Sequence, residues 1–129
     1  MLKHALAQNG LIAILRGLRP QEAAAIGEVL YEAGFRVIEV PLNSPEPYAS
    51  IRILRSTLPA DCLIGAGTVL TPQQVEQVKA AGGQVIVMPH SDPKVLRAAK
   101  AAGLYLSPGV ATPTEAFAAL AEGADVLKV

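Results

Sequence analysis

Along this chain, Ala-rich amphipathic segments end at a glycine, and a short apolar, β-branched run follows at once. The junctions are Glu32-Ala33-Gly34-Phe35, Ala80-Ala81-Gly82-Gly83, Ala101-Ala102-Gly103-Leu104 and Ala121-Glu122-Gly123-Ala124. Glycine just past a helix end is the expected stop, because it adopts the left-handed conformation without steric penalty. The pattern predicts strands over residues 11–16, 36–40, 62–67, 84–88, 104–107 and 125–129. It predicts helices over residues 20–33, 45–57, 72–81, 93–102 and 113–122. Each of these helices opens on a proline, whose missing N–H would be unpaired at the first helical position anyway. Thr71-Pro72-Gln73-Gln74 and Thr112-Pro113-Thr114-Glu115 have the form of capping boxes, and Ser44 and Asp92 stand where caps are expected.

Strands that alternate with helices mean successive βαβ units and a parallel sheet, which is an α/β fold. Strand starts recur roughly every 20–27 residues, a period that fits a barrel or a doubly wound sheet. No linker or low-complexity stretch interrupts the series, so residues 1–129 read as one domain. A (β/α)8 barrel needs eight strands and at least about 200 residues. Six predicted strands, the last at the end of the sequence, read as a barrel cut off before strands seven and eight.

Composition narrows the class. Of 129 residues, 51% are hydrophobic and only 4% aromatic, which suits small side chains packed between helices and a sheet and argues against disorder. Eleven basic and eleven acidic residues cancel and neither sign forms a block, so nothing favours nucleic acid or a membrane surface as partner. The single Cys62 excludes an internal disulfide framework and fits a reducing cytoplasm. It stands at a predicted strand start, as a small core residue would. Residues 1–10 carry no long apolar stretch, which argues against a signal peptide or membrane span.

In parallel α/β folds, the polar residues at the carboxyl ends of the strands are the ones that meet a ligand. Here those ends carry Arg16, Glu39, Thr68, Pro89-His90, Ser107-Pro108-Gly109 and Lys128. Alternation groups Arg16 with Ile12 and Ile14, Glu39 with Val37, Thr68 with Ile64 and Ala66, and Lys128 with Val126. These facings permit Arg16, Glu39, Thr68 and Lys128 to share one barrel mouth. A lysine near the end of a buried strand is desolvated, which lowers its pKa and makes its amine a nucleophile toward carbonyls. Lysine also reaches solvent readily from a strand end, so a surface role fits the same residue. A carboxylate inside Val37-Ile38-Glu39-Val40-Pro41 needs a partner if buried. Arg16 fits a surface ion pair as well, Thr68 a turn, and His90 a loop position beside Asp92. Gly65-Ala66-Gly67 begins a dinucleotide fingerprint that Leu70 breaks. No His, Asp or Glu cluster has metal-ligand spacing.

Four stretches together resemble one known family. They are Ile12-Ala13-Ile14-Leu15-Arg16-Gly17, Val37-Ile38-Glu39-Val40-Pro41-Leu42-Asn43-Ser44-Pro45, Ile64-Gly65-Ala66-Gly67-Thr68-Val69-Leu70 and Val126-Leu127-Lys128. They are similar, in order and spacing, to bacterial 2-keto-3-deoxy-6-phosphogluconate and 6-phosphogalactonate aldolases. The resemblance implies a (β/α)8 barrel, usually trimeric, that works as a class I aldolase without metal or cofactor. It implies Lys128 as the Schiff-base lysine and Glu39 as general acid and base. Arg16 and Thr68 would surround the pyruvoyl carboxylate, and Asn43 and Pro89 would complete the substrate contacts. The substrate would be a keto-deoxy sugar-acid phosphate, cleaved to pyruvate and glyceraldehyde 3-phosphate.

Pro41-Leu42-Asn43-Ser44 looks more like the phosphogalactonate branch, since the phosphogluconate enzymes tend to carry arginine where Asn43 stands. Phosphate-binding residues are expected beyond Val129, in loops after strands seven and eight. Two other readings fit the repeat pattern: a truncated barrel that only self-associates, and a different phosphosugar or thiamin-pathway barrel that would not need Glu39 and Lys128 together.

Overall fold

The computed structural model describes all residues from Met1 to Val129. Five strands form one parallel sheet: β1 (Ala13–Ile14), β2 (Val37–Pro41), β3 (Leu63–Gly67), β4 (Val85–Val87) and β5 (Tyr105–Ser107). Six helices accompany them: α1 (Leu2–Asn9), α2 (Pro20–Glu32), α3 (Pro47–Thr57), α4 (Pro72–Ala80), α5 (Pro93–Ala101) and α6 (Pro113–Ala121). The strands pair in simple sequence order, β1-β2-β3-β4-β5, all parallel. Right-handed crossovers between neighbours taken in order put every crossover helix on the same face. A doubly wound sheet would reverse its strand order at a switch point. The winding is therefore that of a (β/α) barrel wall.

The two faces of the wall are packed separately. Outside, 23 buried residues join the sheet to the helices, among them Ile38, Val40, Ile64, Ala66, Ile86 and Leu106. Inside, Val37, Leu63, Val85 and Val87 pack on Leu2 and Ala5 of α1, which lies under the barrel floor. Side chains alternate along each strand, so Ile38 faces outward while its neighbours Val37 and Glu39 face inward. No helix is long and apolar enough to cross a membrane.

Several boundaries differ from the sequence pattern, each for a local reason. Residues 125–129 do not form a strand. They lie beside β5 through a single parallel bridge, Gly109 to Lys128, and bonds such as Lys128 N–H to Pro108 O at 2.9 Å. Leu106 accepts two amides, Asp125 and Val126, while the Asp125 carboxylate accepts the Leu106 N–H, so side-chain and turn bonds replace the regular ladder. The first strand shrinks from 11–16 to two residues at the sheet edge, paired with β2 alone. Helix α3 starts at Pro47 rather than Pro45, because Pro47 disfavours helical backbone at Glu46, which adopts φ 41°. Ser44 is accordingly not a cap, whereas Thr71, Thr112 and Asp92 accept the amides of Gln74, Glu115 and Lys94.

Helix α1 went unsignalled at its start. Its N-cap, Met1, offers no side-chain acceptor and no proline opens it, yet Gly10 ends it in the left-handed region at φ 69°. Cys62 is fully buried just ahead of β3, as a small core residue should be.

Candidate active site

Strand register decides what meets at the barrel mouth. Ile14 pairs with Glu39, Glu39 with Gly65 and Pro41 with Gly67, so Glu39 reaches inward across a neighbour that has no side chain. A Cβ placed on Gly67 would overlap the Glu39 carboxylate, and one on Gly65 would overlap the Val85 backbone. The Gly65-Ala66-Gly67 run therefore makes room for an acid and for close strand approach, and has no dinucleotide role to explain.

Glu39 is 3% exposed, and its Oε2 has no hydrogen-bond partner. Burial pushes its pKa up from 4.5 to about 7, opposed by the positive charges of Lys128 and Arg16. Desolvation wins because no donor touches the carboxylate closely enough to stabilise its charge. Such a group exchanges a proton readily near neutral pH.

Glu39 and Lys128 line the same interior cavity of 270 Å³, with Ile12, Ile14, Val87 and Ser107 around them. The cavity is thus mostly apolar, with one acid, one amine and one hydroxyl. Val126 packs on the inner cluster and Leu127 on the outer one, so the alternation read from the sequence holds and turns Lys128 inward. Its expected burial is not found: Lys128 is exposed, because the cavity is open on this side of the wall. Lys128 also borders a second cavity of 580 Å³ at the rim, formed by Pro89, His90, Gly109 and Val110 in the loops after β4 and β5.

The remaining sequence candidates are spread more widely. Arg16 is exposed and borders a separate 250 Å³ hollow with Leu15, Gly17 and Glu22, although its charge still acts on Glu39. Pro89 stands on the rim beside Lys128. Asn43 is exposed and lines neither cavity. Thr68 lines neither as well, and its alternation partners Ile64 and Ala66 face the helices rather than the mouth. It stands just past the end of β3 at φ 55°, a strained conformation for a β-branched residue. Ser107, which the sequence places at the end of the fifth strand without assigning it a role, is 3% exposed on the inner face and lines the cavity. No three His, Cys, Asp or Glu side chains are grouped as metal ligands.

Comparisons with known proteins agree with the barrel fold. Residues 2–129 match the family described as KDPG and KHG aldolase. The chain is 54% identical over 121 residues to a probable 2-dehydro-3-deoxy-6-phosphogalactonate aldolase of Rhizobium meliloti, covering 94% of this chain and 57% of the relative. It is 47% identical over 119 residues to the 2-dehydro-3-deoxy-6-phosphogalactonate aldolase of Escherichia coli K12, covering 92% and 58%. It therefore spans somewhat over half the length of these relatives. Among solved structures, a KDPG aldolase from Legionella pneumophila, with pyruvate captured as a covalent carbinolamine, superposes with TM-score 0.82 at 33% identity, over 92% of this chain and 57% of that one. The barrel winding, the inward acid and amine, and a family match that runs from Leu2 to Val129 place this chain in the KDPG and KHG aldolase family.

Proposed function

We propose that this chain carries the imine-forming half of a class I aldolase that cleaves 2-dehydro-3-deoxy-6-phosphogalactonate to pyruvate and D-glyceraldehyde 3-phosphate. The observation that carries the reading is a buried Glu39, its Oε2 without a hydrogen-bond partner, that opens onto the same cavity as the Lys128 amine. The galactonate substrate is favoured over the gluconate epimer by the names of the two relatives near 50% identity and by Asn43.

In the proposed reaction the neutral Lys128 amine adds to the C2 ketone, giving a carbinolamine. Protonated Glu39 gives its proton to the departing hydroxyl, so water leaves, a protonated imine remains and Glu39 becomes a carboxylate. Glu39, as carboxylate, removes the C4 hydroxyl proton, directly or through a water. The C4–O electrons form the aldehyde carbonyl, the C3–C4 bond breaks, and its electron pair moves through C2 to the imine nitrogen as an enamine. Glyceraldehyde 3-phosphate leaves. The protonated Glu39 then returns its proton to C3, and water hydrolyses the pyruvate imine to free pyruvate and neutral Lys128, the proton released going back to the Glu39 carboxylate. A carboxyl held near 7 can take and return that proton in one cycle at neutral pH. In this reading Arg16 and Thr68 hold the pyruvoyl carboxylate, while Asn43 and Pro89 border the substrate. The reading extends to a homotrimer working in the cytoplasm, and to residues 1–129 as six units of an eight-unit barrel.

The test is intact mass spectrometry after incubation with pyruvate and borohydride. A reduced pyruvyl adduct on Lys128 is expected; a protein of full family length that forms none is not an aldolase of this type.

A further inference from the structure

Arg16 lies in the turn after β1 and Glu39 on β2, and two hydrogen bonds from the neighbours of Arg16 tie this turn to β2 and to the loop that follows it. The Leu15 N–H donates to Glu39 O at 2.9 Å, just before Arg16, and the Gly17 N–H donates to Ser44 Oγ at 3.0 Å, just after it. Arg16 is thus bracketed by bonds to β2 and to the loop that follows it. The first bond is the last rung of a two-residue strand. The second has no counterpart in the sheet and depends wholly on one hydroxyl.

Ser44 is built for this contact. It is 7% exposed although Asn43 and Pro45 on either side are exposed, and its own N–H donates to Pro41 O at 2.9 Å in a tight turn. The turn points the hydroxyl back at the β1 loop rather than along α3, where a cap would point. Gly17 donates its N–H to that hydroxyl from φ 81°, a backbone conformation that few other residues adopt. Nothing else in the structure accepts that amide.

We infer that Ser44 is a positioning residue: its hydroxyl latches the Gly17 amide and so fixes the Arg16 backbone at the point from which, in the aldolase reading, the guanidinium reaches the carboxylate of the keto acid. The inference rests on the aldolase reading above and assigns to Ser44 a role that works through Arg16 alone. Ser44 touches no reacting atom.

The experiment is a double-mutant cycle in the full-length protein, read as the pyruvate concentration that half-saturates borohydride trapping at Lys128. Ser44→Ala should raise that concentration roughly three- to tenfold, the effect of one lost hydrogen bond. Ser44→Thr, which keeps the oxygen, should restore it. In an Arg16→Ala background Ser44→Ala should add nothing, and trapping of acetone, which lacks a carboxylate, should be unchanged by it. An equal loss in the Arg16→Ala background, or no loss at all, overturns the inference while leaving the aldolase reading intact. Wild-type protein that traps no pyruvate overturns the reading and the inference together. Should Ser44→Ala fail to fold, amide exchange in the wild type decides: a protected Gly17 N–H supports the latch, and exchange at the free-peptide rate refutes it.

Discussion

Gly67 and Glu39 share one space: the carboxylate of Glu39 lies where any side chain on Gly67 would begin. The two residues sit on adjacent strands, and Pro41, two positions beyond Glu39, is the register partner of Gly67. The acid can lie flat in the barrel interior only because β3 presents bare backbone there.

Gly67→Ala should therefore act on Glu39 before it acts on the fold. Displacing the carboxylate or straining the sheet should cost about 1–3 kcal/mol, as overpacking usually does. Carbon–carbon cleavage should fall by about 100-fold or more, since a misplaced proton-transfer group loses its contribution. Denaturant titration and steady-state turnover on the same variant check both effects. Unchanged turnover would show that Glu39 need not lie over Gly67.

Glu39 should also leave a mark on stability. Its carboxyl has a pKa near 7 in the folded protein and about 4.5 when unfolded. Between those values the folded state binds more protons, so stability falls as pH rises from about 4.5 to about 7 and is level above. The difference of about 2.5 pKa units corresponds to roughly 3 kcal/mol. Urea unfolding at a series of pH values should show this decline in the wild type, and a much flatter curve in Glu39→Gln. The same variant should lose about 10²- to 10⁴-fold in cleavage, the usual contribution of a general acid–base group.

At the opposite end of the barrel, Arg55 clamps the loops. Its guanidinium donates to Cys62 O at 2.6 Å, Gln84 Oε1 at 2.8 Å, and Leu58 O and Pro59 O at 2.8 Å each. Arg55→Met keeps the stem and removes the donors, leaving part-buried acceptors unpaired. A loss of about 2–4 kcal/mol is expected, because hydrogen bonds to a charged group are worth more than neutral ones. Thermal unfolding measures it. Pyruvate trapping at Lys128 should persist wherever the variant is folded, since Arg55 is remote from the cavity.

Helix α4 offers a smaller test. Thr71 Oγ1 accepts the Gln74 N–H at 3.2 Å while Gln74 Oε1 accepts the Thr71 N–H at 3.2 Å. Thr71→Ala should cost about 1 kcal/mol with no change in the pyruvate dependence of trapping. A shift in that dependence would tie the start of α4 to Thr68 and to the mouth.

Much of this arrangement was legible without coordinates, because it depends on local rules. The proline starts, the glycine stops and the two Thr capping boxes act within a few residues, and all five predicted helices form, four of them from the proline that the pattern names and α3 from Pro47 instead of Pro45. The α/β class followed from alternation of elements, and the inward pairing of Val126 with Lys128 from the two-residue period of extended chain. Glu39 could be suspected because a carboxylate among Val and Ile must find a reason to be buried. What lay beyond the sequence was everything set by contacts between distant segments. Strand order, which separates a barrel wall from a doubly wound sheet, arises from which strands pair. The pairing of Glu39 with bare Gly67, and the use of Ser44 to hold Gly17 instead of capping α3, depend on a register that no local pattern encodes. Thr68 leaves its strand in a strained turn, and residues 125–129 lie beside β5 without joining the ladder. Local propensity names the elements; only their packing decides which side chains share a cavity, since proximity across strands is a property of the sheet and not of the chain.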